Sequence, residues 1–152
     1  MKSLDSLLRE LPFFAGLDEE HARLIAGCAR NCRFEAGQYL FHEGDPADEF
    51  FLIREGRVAL DVVAPGQDPI VFSTLGEGEV VGASWLVPPY RWMFDARAAS
   101  PTHALGIDAA CLRRKCEEDH DFGYLMMKRF LPVFVKRLHA TRLQMFDVYR
   151  RG

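Results

Sequence analysis

Apolar positions along the 152-residue chain change their period twice, from helical to alternating and back to helical. Leu4, Leu7, Leu8 and Leu11 recur at three- and four-residue spacing, which predicts a short amphipathic helix that Pro12 ends. Asp18-Glu19-Glu20 then places acid in the first turn of a second helix carrying Ala22, Leu24, Ile25 and Cys28. From Cys32 the pattern becomes short segments of strand type: Cys32-Arg33-Phe34, Tyr39-Leu40-Phe41, Phe50-Phe51-Leu52-Ile53, Val58 to Val63 and Ile70 to Leu75. Met93 to Ala98 and His103 to Ile107 extend the series. Turns with Gly37, Gly44, Gly56 and Gly66 separate the first five and Gly76 ends the fifth, at intervals of about 8–12 residues, the spacing of a closed double-sheet barrel or jelly roll.

The helical period returns near Asp108, a plausible N-cap for a helix through Ala109, Cys111, Leu112 and Cys116. Asp119 or Asp121 would cap a second, much longer helix. Along it Met127, Leu131, Phe134, Leu138, Thr141, Met145 and Val148 alternate spacings of four and three, a heptad seam suited to a twin chain. Phe130, Val133 and Val135 are left over for a face on the barrel, and Pro132 is expected to kink the helix in its first third. The expected fold is therefore mainly β with flanking α: a double-stranded β-helix (jelly-roll) barrel with N-terminal helices and a long C-terminal helix. A single domain, 1–152, would divide into a helical lead-in (1–30), the jelly roll (31–108) and closing helices (109–150).

Composition narrows the function classes. An apolar content of 49% suffices for one ordinary core. No apolar run approaches the roughly 20 residues of a membrane span, and Met1 to Asp5 lacks the apolar stretch of a signal peptide, so a cytoplasmic protein is expected. Cys28, Cys32, Cys111 and Cys116 form no Cys-x-x-Cys pair and read as buried reduced thiols rather than metal ligands. Dispersed His21, His42, His103, His120 and His139 do not make the three-histidine cluster of a metal-dependent barrel enzyme, so no catalysis is expected. Seven of the 19 Lys/Arg but only one of the 22 Asp/Glu lie in 127–152, a locally basic helix on an acidic body. Its charges, among them Lys128, Arg129, Lys136, Arg137 and Arg142, read first as solvated edges of the seam rather than as a nucleic-acid surface.

The stretch Gly76 to Ser100 departs most from simple alternation. Gly76, Gly78 and Gly82 allow close approach to the backbone, Ala83-Ser84-Trp85-Leu86 is long enough for one helical turn with free N–H groups, and Arg91 and Arg97 follow. Together they suggest a small anion pocket in which the Gly82 to Ser84 amides make a nest and Ser84 adds a hydroxyl. Trp85, Tyr90, Trp92 and Phe94 are open to two readings, core or lid packing, or an aromatic wall that stacks a base or blocks the pocket.

The whole arrangement resembles the cyclic-nucleotide-binding domain of the Crp/Fnr type. The resemblance rests on Phe34-Glu35-Ala36-Gly37-Gln38, Phe41 to Glu49, Leu52-Ile53-Arg54-Glu55-Gly56-Arg57-Val58 and Leu75 to Gly82, and runs from Leu11 to about Met145. It implies a regulatory sensor domain, not an enzyme, with cAMP or cGMP or another small anion as ligand and no further cofactor or metal. A homodimer through the C-terminal helix is also implied. In that family a glutamate after the last glycine holds the ribose 2′-hydroxyl and a downstream arginine pairs with the cyclic phosphate. Here Ala83 stands after Gly82, a change worth about 1–3 kcal/mol if the hydroxyl loses its partner. Arg91 is the nearest match to the phosphate arginine, though Trp92 follows it where the family has a small residue, and Arg97 ranks second. Thr141 matches a threonine that faces adenine. The ligand-binding residues expected are thus Gly82, Ala83, Ser84, Arg91, Trp92, Arg97 and Thr141. The family's transcription factors continue into a helix-turn-helix domain after the long helix, whereas this sequence stops at Gly152, so a regulator acting without its own DNA-binding domain is expected. The divergent cassette equally suits an interaction scaffold that has lost its ligand and docks to a partner protein.

Overall fold

The computed structural model of the protein describes residues 3–151. Helix α1 (Leu4–Glu10) gives way at Pro12 to a single 3-10 turn, Pro12–Phe14, and α2 spans Glu19–Ala26. Asp18 caps α2, its carboxylate accepting from the His21 N–H at 2.8 Å. Cys28 lies beyond the helix end.

Eight strands follow: β1 (Ala29–Phe34), β2 (Tyr39–Phe41), β3 (Glu49–Glu55), β4 (Val58–Val62), β5 (Ile70–Leu75), β6 (Val80–Val81), β7 (Asp95–Ala98) and β8 (Thr102–Asp108). They form two antiparallel four-stranded sheets, β1-β8-β3-β6 and β2-β7-β4-β5, whose inner faces make the jelly roll. Every strand the periodicity predicts is present. The two-residue β6 is additional, too short for any period to register, and β1 starts three residues early because Ala29 is already paired with Ile107. Gly56 shows why glycine punctuates the turns. Its φ is +105°, and a Cβ there would lie 2.5 Å from the Pro101 carbonyl oxygen.

Asp108 caps α3 (Ala109–Glu118), accepting from the Cys111 N–H at 2.9 Å, and Asp119 accepts from the Phe122 N–H at the start of α4 (His120–Arg151). Helix α4 continues through Pro132. One of its faces enters the core: Phe122, Met126 and Phe130 are fully buried, and Val133 packs against them. Val135, expected on the barrel face, is 60% exposed and belongs to the opposite side with Met127, Leu131, Phe134, Leu138 and Met145. The side chain of Val148 lies outside the described residues.

The reading of all four cysteines as reduced thiols is corrected for two of them. Cys28 and Cys111 form a disulfide with Cα atoms 5.8 Å apart. The β1–β8 pairing brings them together: the Asp108 N–H donates to the Cys28 carbonyl at 2.8 Å, and the first turn of α3 carries Cys111 back over it. Cys32 and Cys116 are free. Among the described residues no helix is long and apolar enough to cross a membrane.

Phe130 meets the rings of Phe13, Phe50 and Trp85 edge-on at 4.8, 5.3 and 5.0 Å, so it joins α4 to the lead-in, to β3 and to the turn that carries Trp85. Phe130→Ala is expected to cost about 3–5 kcal/mol, read as a lowered midpoint in urea denaturation; an unchanged midpoint would show that α4 is not anchored there.

Candidate functional site

The glycine-rich turn is built from the barrel outward. The Gly78 N–H donates to the Ile53 carbonyl at 2.8 Å, and the Ile53 N–H donates to the Glu79 carbonyl at 3.0 Å. The Glu79 carboxylate closes the turn by accepting from the Gly76 N–H at 2.7 Å. Val80 and Val81 pair with Leu52 and Phe51, and Gly82, at φ +77°, bends the chain into a 3-10 turn, Ser84–Leu86. Trp85 in that turn is fully buried and stacked 4.7 Å from Phe50.

The space over Gly82 is occupied. A Cβ there would lie 2.5 Å from Cζ3 of Trp92, so the glycine accommodates an indole ring rather than a ligand. Trp92 is 2% exposed and lies parallel to Phe41 with centroids 3.7 Å apart; Phe94 packs beside both. Of the two aromatic readings, core packing describes Trp85, and for Trp92 core packing and blocking coincide. Ala83, which follows Gly82, is buried and Ser84 half-buried.

The expected arginines lie elsewhere. Arg91 is exposed, and its Nη1 donates to the Gly44 carbonyl at 2.8 Å across the loop that joins β2 to β3. Strand alternation puts Ala96 in the core and Arg97 on the opposite face of β7, where its Nε is 3.6 Å from the buried Asp61 carboxylate. Neither guanidinium faces Gly82. The structure therefore gathers Gly82, Ala83, Ser84 and Trp92 into one closed patch and leaves Arg91, Arg97 and Thr141 apart from it.

Thr141 instead lines an open cavity of about 520 Å³ between β5, the Gly76–Val80 turn and α4, floored by Pro12 and Phe13. Three cations border it, Arg129, Lys136 and Arg137, against the single carboxylate of Glu79. Arg137 lies with its guanidinium 4.9 Å over the Phe94 ring, and burial pushes its pKa below the usual arginine value, partly offset by the charge of Glu79. Lys136 Nζ stands 3.4 Å from Glu79. Arg129 Nη1 donates to the Phe13 carbonyl at 2.8 Å, while its Nε is buried without a hydrogen-bond partner. The Thr141 hydroxyl donates to the Arg137 carbonyl at 2.9 Å, which leaves its lone pairs free to accept. A desolvated cation beside a hydroxyl and an aromatic strand suits a ligand with an anionic group and a flat polar body.

Sequence reasoning placed Arg129 and Arg137 on solvated edges of the seam, and the structure corrects this by turning both towards the barrel. The available signal was their spacing: Arg129, Val133, Arg137 and Gln144 fall on the face that also carries Phe130. Among the described residues no group of three or more His, Cys, Asp or Glu side chains converges on a metal site. Burial pushes the free Cys116 thiol up to about 11 and raises that of Cys32, so both are weak nucleophiles near neutral pH.

Residues 31–119 match the family model of the cyclic nucleotide-binding domain. A solved structure of a Geobacter metallireducens GS-15 protein assigned as a cyclic nucleotide-binding protein superposes with a TM-score of 0.79 at 30% identity, covering 91% of this chain and 100% of that one. Thermus thermophilus catabolite activator protein shares the fold, with a TM-score of 0.70 at 21% identity over 91% of this chain and 63% of that one. Cyclic nucleotide-gated ion channel 18 of Arabidopsis thaliana is 28% identical over 147 residues, 90% of this chain and 20% of the channel. The chain thus spans about a fifth of the length of that curated relative.

If Gly82 is required by the indole above it, Gly82→Ala adds left-handed backbone strain to a ring clash and should destabilise the fold by about 2–4 kcal/mol. Trp92 displaced from its slot should shift tryptophan emission to the red, and an unshifted spectrum with wild-type stability would contradict the packing.

Proposed function

The chain belongs to the cyclic nucleotide-binding domain family, and on that footing we propose that it is a regulatory sensor domain whose cavity under α4 takes a small anionic ligand. The observation that carries this reading is the half-buried Arg137 guanidinium facing that cavity, with Lys136 and Thr141 beside it. A cyclic nucleotide, cAMP or cGMP, is the first ligand class to test. Its phosphate would meet Arg137 and Lys136, and its base edge the free lone pairs of Thr141. The turn at Gly82 to Ser84 is given no part in this reading, because the Trp92 ring packs against Gly82.

The output element is α4. Its exposed seam of Met127, Leu131, Phe134, Leu138 and Met145 supports a homodimer through this helix, with the cavity next to the interface. No catalysis is assigned to the domain, a cytoplasmic setting is expected, and direct contact with nucleic acid is not part of the reading. One observation favours a second function: the indole over Gly82 also suits a scaffold that has given up nucleotide and docks to a partner protein in all conditions.

Calorimetric titration with cAMP and cGMP separates the two. Binding is expected to weaken about 10- to 100-fold in Arg137→Gln, the loss of one charge-assisted hydrogen bond. No heat at millimolar nucleotide would remove cyclic nucleotides as ligands and leave the scaffold. Separately, Leu131→Glu with Leu138→Glu should convert a dimer to monomer in sedimentation velocity, and a wild-type chain that sediments as a monomer would end the dimer proposal.

A further inference from the structure

The Cys28–Cys111 disulfide lies on the wall of a surface cleft of about 380 Å³, bordered by Arg30, Asp48, Glu49 and Asp108. We propose that this bond is a thiol–disulfide exchange site, and that its state sets how firmly α3 holds the segment 84–91. Both cysteines border the cleft, Cys111 half-buried and Cys28 7% exposed, so a thiolate can approach from solvent. Cys111 sits in the first turn of α3, so the bond ties the start of that helix to Cys28.

The reductant required is a dithiol. One of its sulfurs attacks Cys28 as thiolate, the Cys28–Cys111 bond breaks, and its electron pair leaves on Cys111, which takes up a proton. The second thiol of the reductant then displaces Cys28 from the mixed disulfide. Two cysteine thiols and one oxidised dithiol result, and both electrons come from the reductant. Return is built in, because contacts that do not involve sulfur keep the pair close. The Asp108 N–H still donates to the Cys28 carbonyl at 2.8 Å, and Asp108 still accepts from the Cys111 N–H at 2.9 Å.

The consequence is transmitted two residues along α3. Arg113 Nη1 donates to the Trp85 carbonyl at 2.7 Å, and its guanidinium lies 4.3 Å over the Tyr90 ring. Tyr90 itself holds a positive φ of 57°, a conformation that needs such support. With the bond closed, α3 is fixed covalently to the end of α2 and the start of β1. With it open, that end of α3 keeps the cap at Asp108, the Ala109 N–H to Asp48 carbonyl bond and the buried side chains of Ala109 and Leu112, but no covalent tie to Cys28. Arg113 then grips Trp85 and Tyr90 from a looser base.

The test takes the full chain through glutathione buffers of graded ratio and through millimolar dithiothreitol. Alkylation and peptide mass mapping report the bond, and hydrogen–deuterium exchange reports the amides. Cys28 and Cys111 should be protected together in oxidising buffer and labelled together on reduction, reversibly. Exchange in 84–91 and in the first turn of α3 should rise about tenfold on reduction while β3 and β8 stay unchanged. Arg113→Gln should raise exchange in 84–91 with the bond intact, and reduction should then add little. Labelling of both cysteines in every buffer, a bond that survives millimolar dithiothreitol, or reduction without a change in 84–91 would each overturn the proposal. Cys28→Ala with Cys111→Ala should match the reduced chain in all buffers; should it fail to fold, the reduction series decides alone.

Discussion

The structure depends on one stack of rings. Phe50, near the start of β3, holds Trp85 flat against one side and meets the edge of Phe130 on another, and Trp85 and Phe130 touch each other. Three parts of the chain far apart in sequence are thereby fixed to one another: a barrel strand, the turn after the glycines, and the long helix. Each ring is fully buried, and the two edge-on contacts of Phe130 are worth more than their area because edge and face carry opposite partial charge. Moving Trp85 would therefore disturb the seat of Phe130 on α4, and the reverse holds.

The charges lie outside these apolar contacts. With Trp92 over Gly82, the barrel interior has become apolar at the very turn that could have received an anion. Cationic character is concentrated one layer out, along the α4 face that carries Arg129, Lys136 and Arg137. Arg137 over Phe94 marks the boundary between the two zones: its guanidinium lies on the ring of a residue that packs beside Trp92. Glu79 spans them as well, closing the glycine turn through Gly76 and reaching Lys136 on the helix.

Much of the fold was legible because its signals are local. Glycine spacing marked the strands, Asp108 marked α3, and the seam from Met127 to Met145 marked the outer face of α4. The site was less legible because its determinants are not local. Nothing in the spacing of Trp92 says whether its ring turns into the barrel or over it; the stack on Phe41, a third of the chain away, decides that. Cys28 and Cys111, separated by 83 residues, meet only through the register of β1 on β8. Arg129 and Arg137 shared a helix with two apolar stripes, and a single period cannot tell which stripe a neighbouring cation borders. Val135 fell on the wrong side for the same reason.

The end of the second sheet has a further consequence. Strand β5 closes the order β2-β7-β4-β5, and Ile70 and Val71 on it are 54% and 50% exposed, so its outer backbone could template another chain. Gln144 of α4 donates to the Phe72 carbonyl at 2.9 Å, and the ladder slips by one residue between Leu60 and Asp61. The helix thereby acts as a guard rail along an adhesive border, and the slip bends that border out of the flat shape in which stacked copies would propagate. One amide thus ties the far half of α4 to the margin of the sheet, and a swing of the helix away from the barrel would unmask that margin.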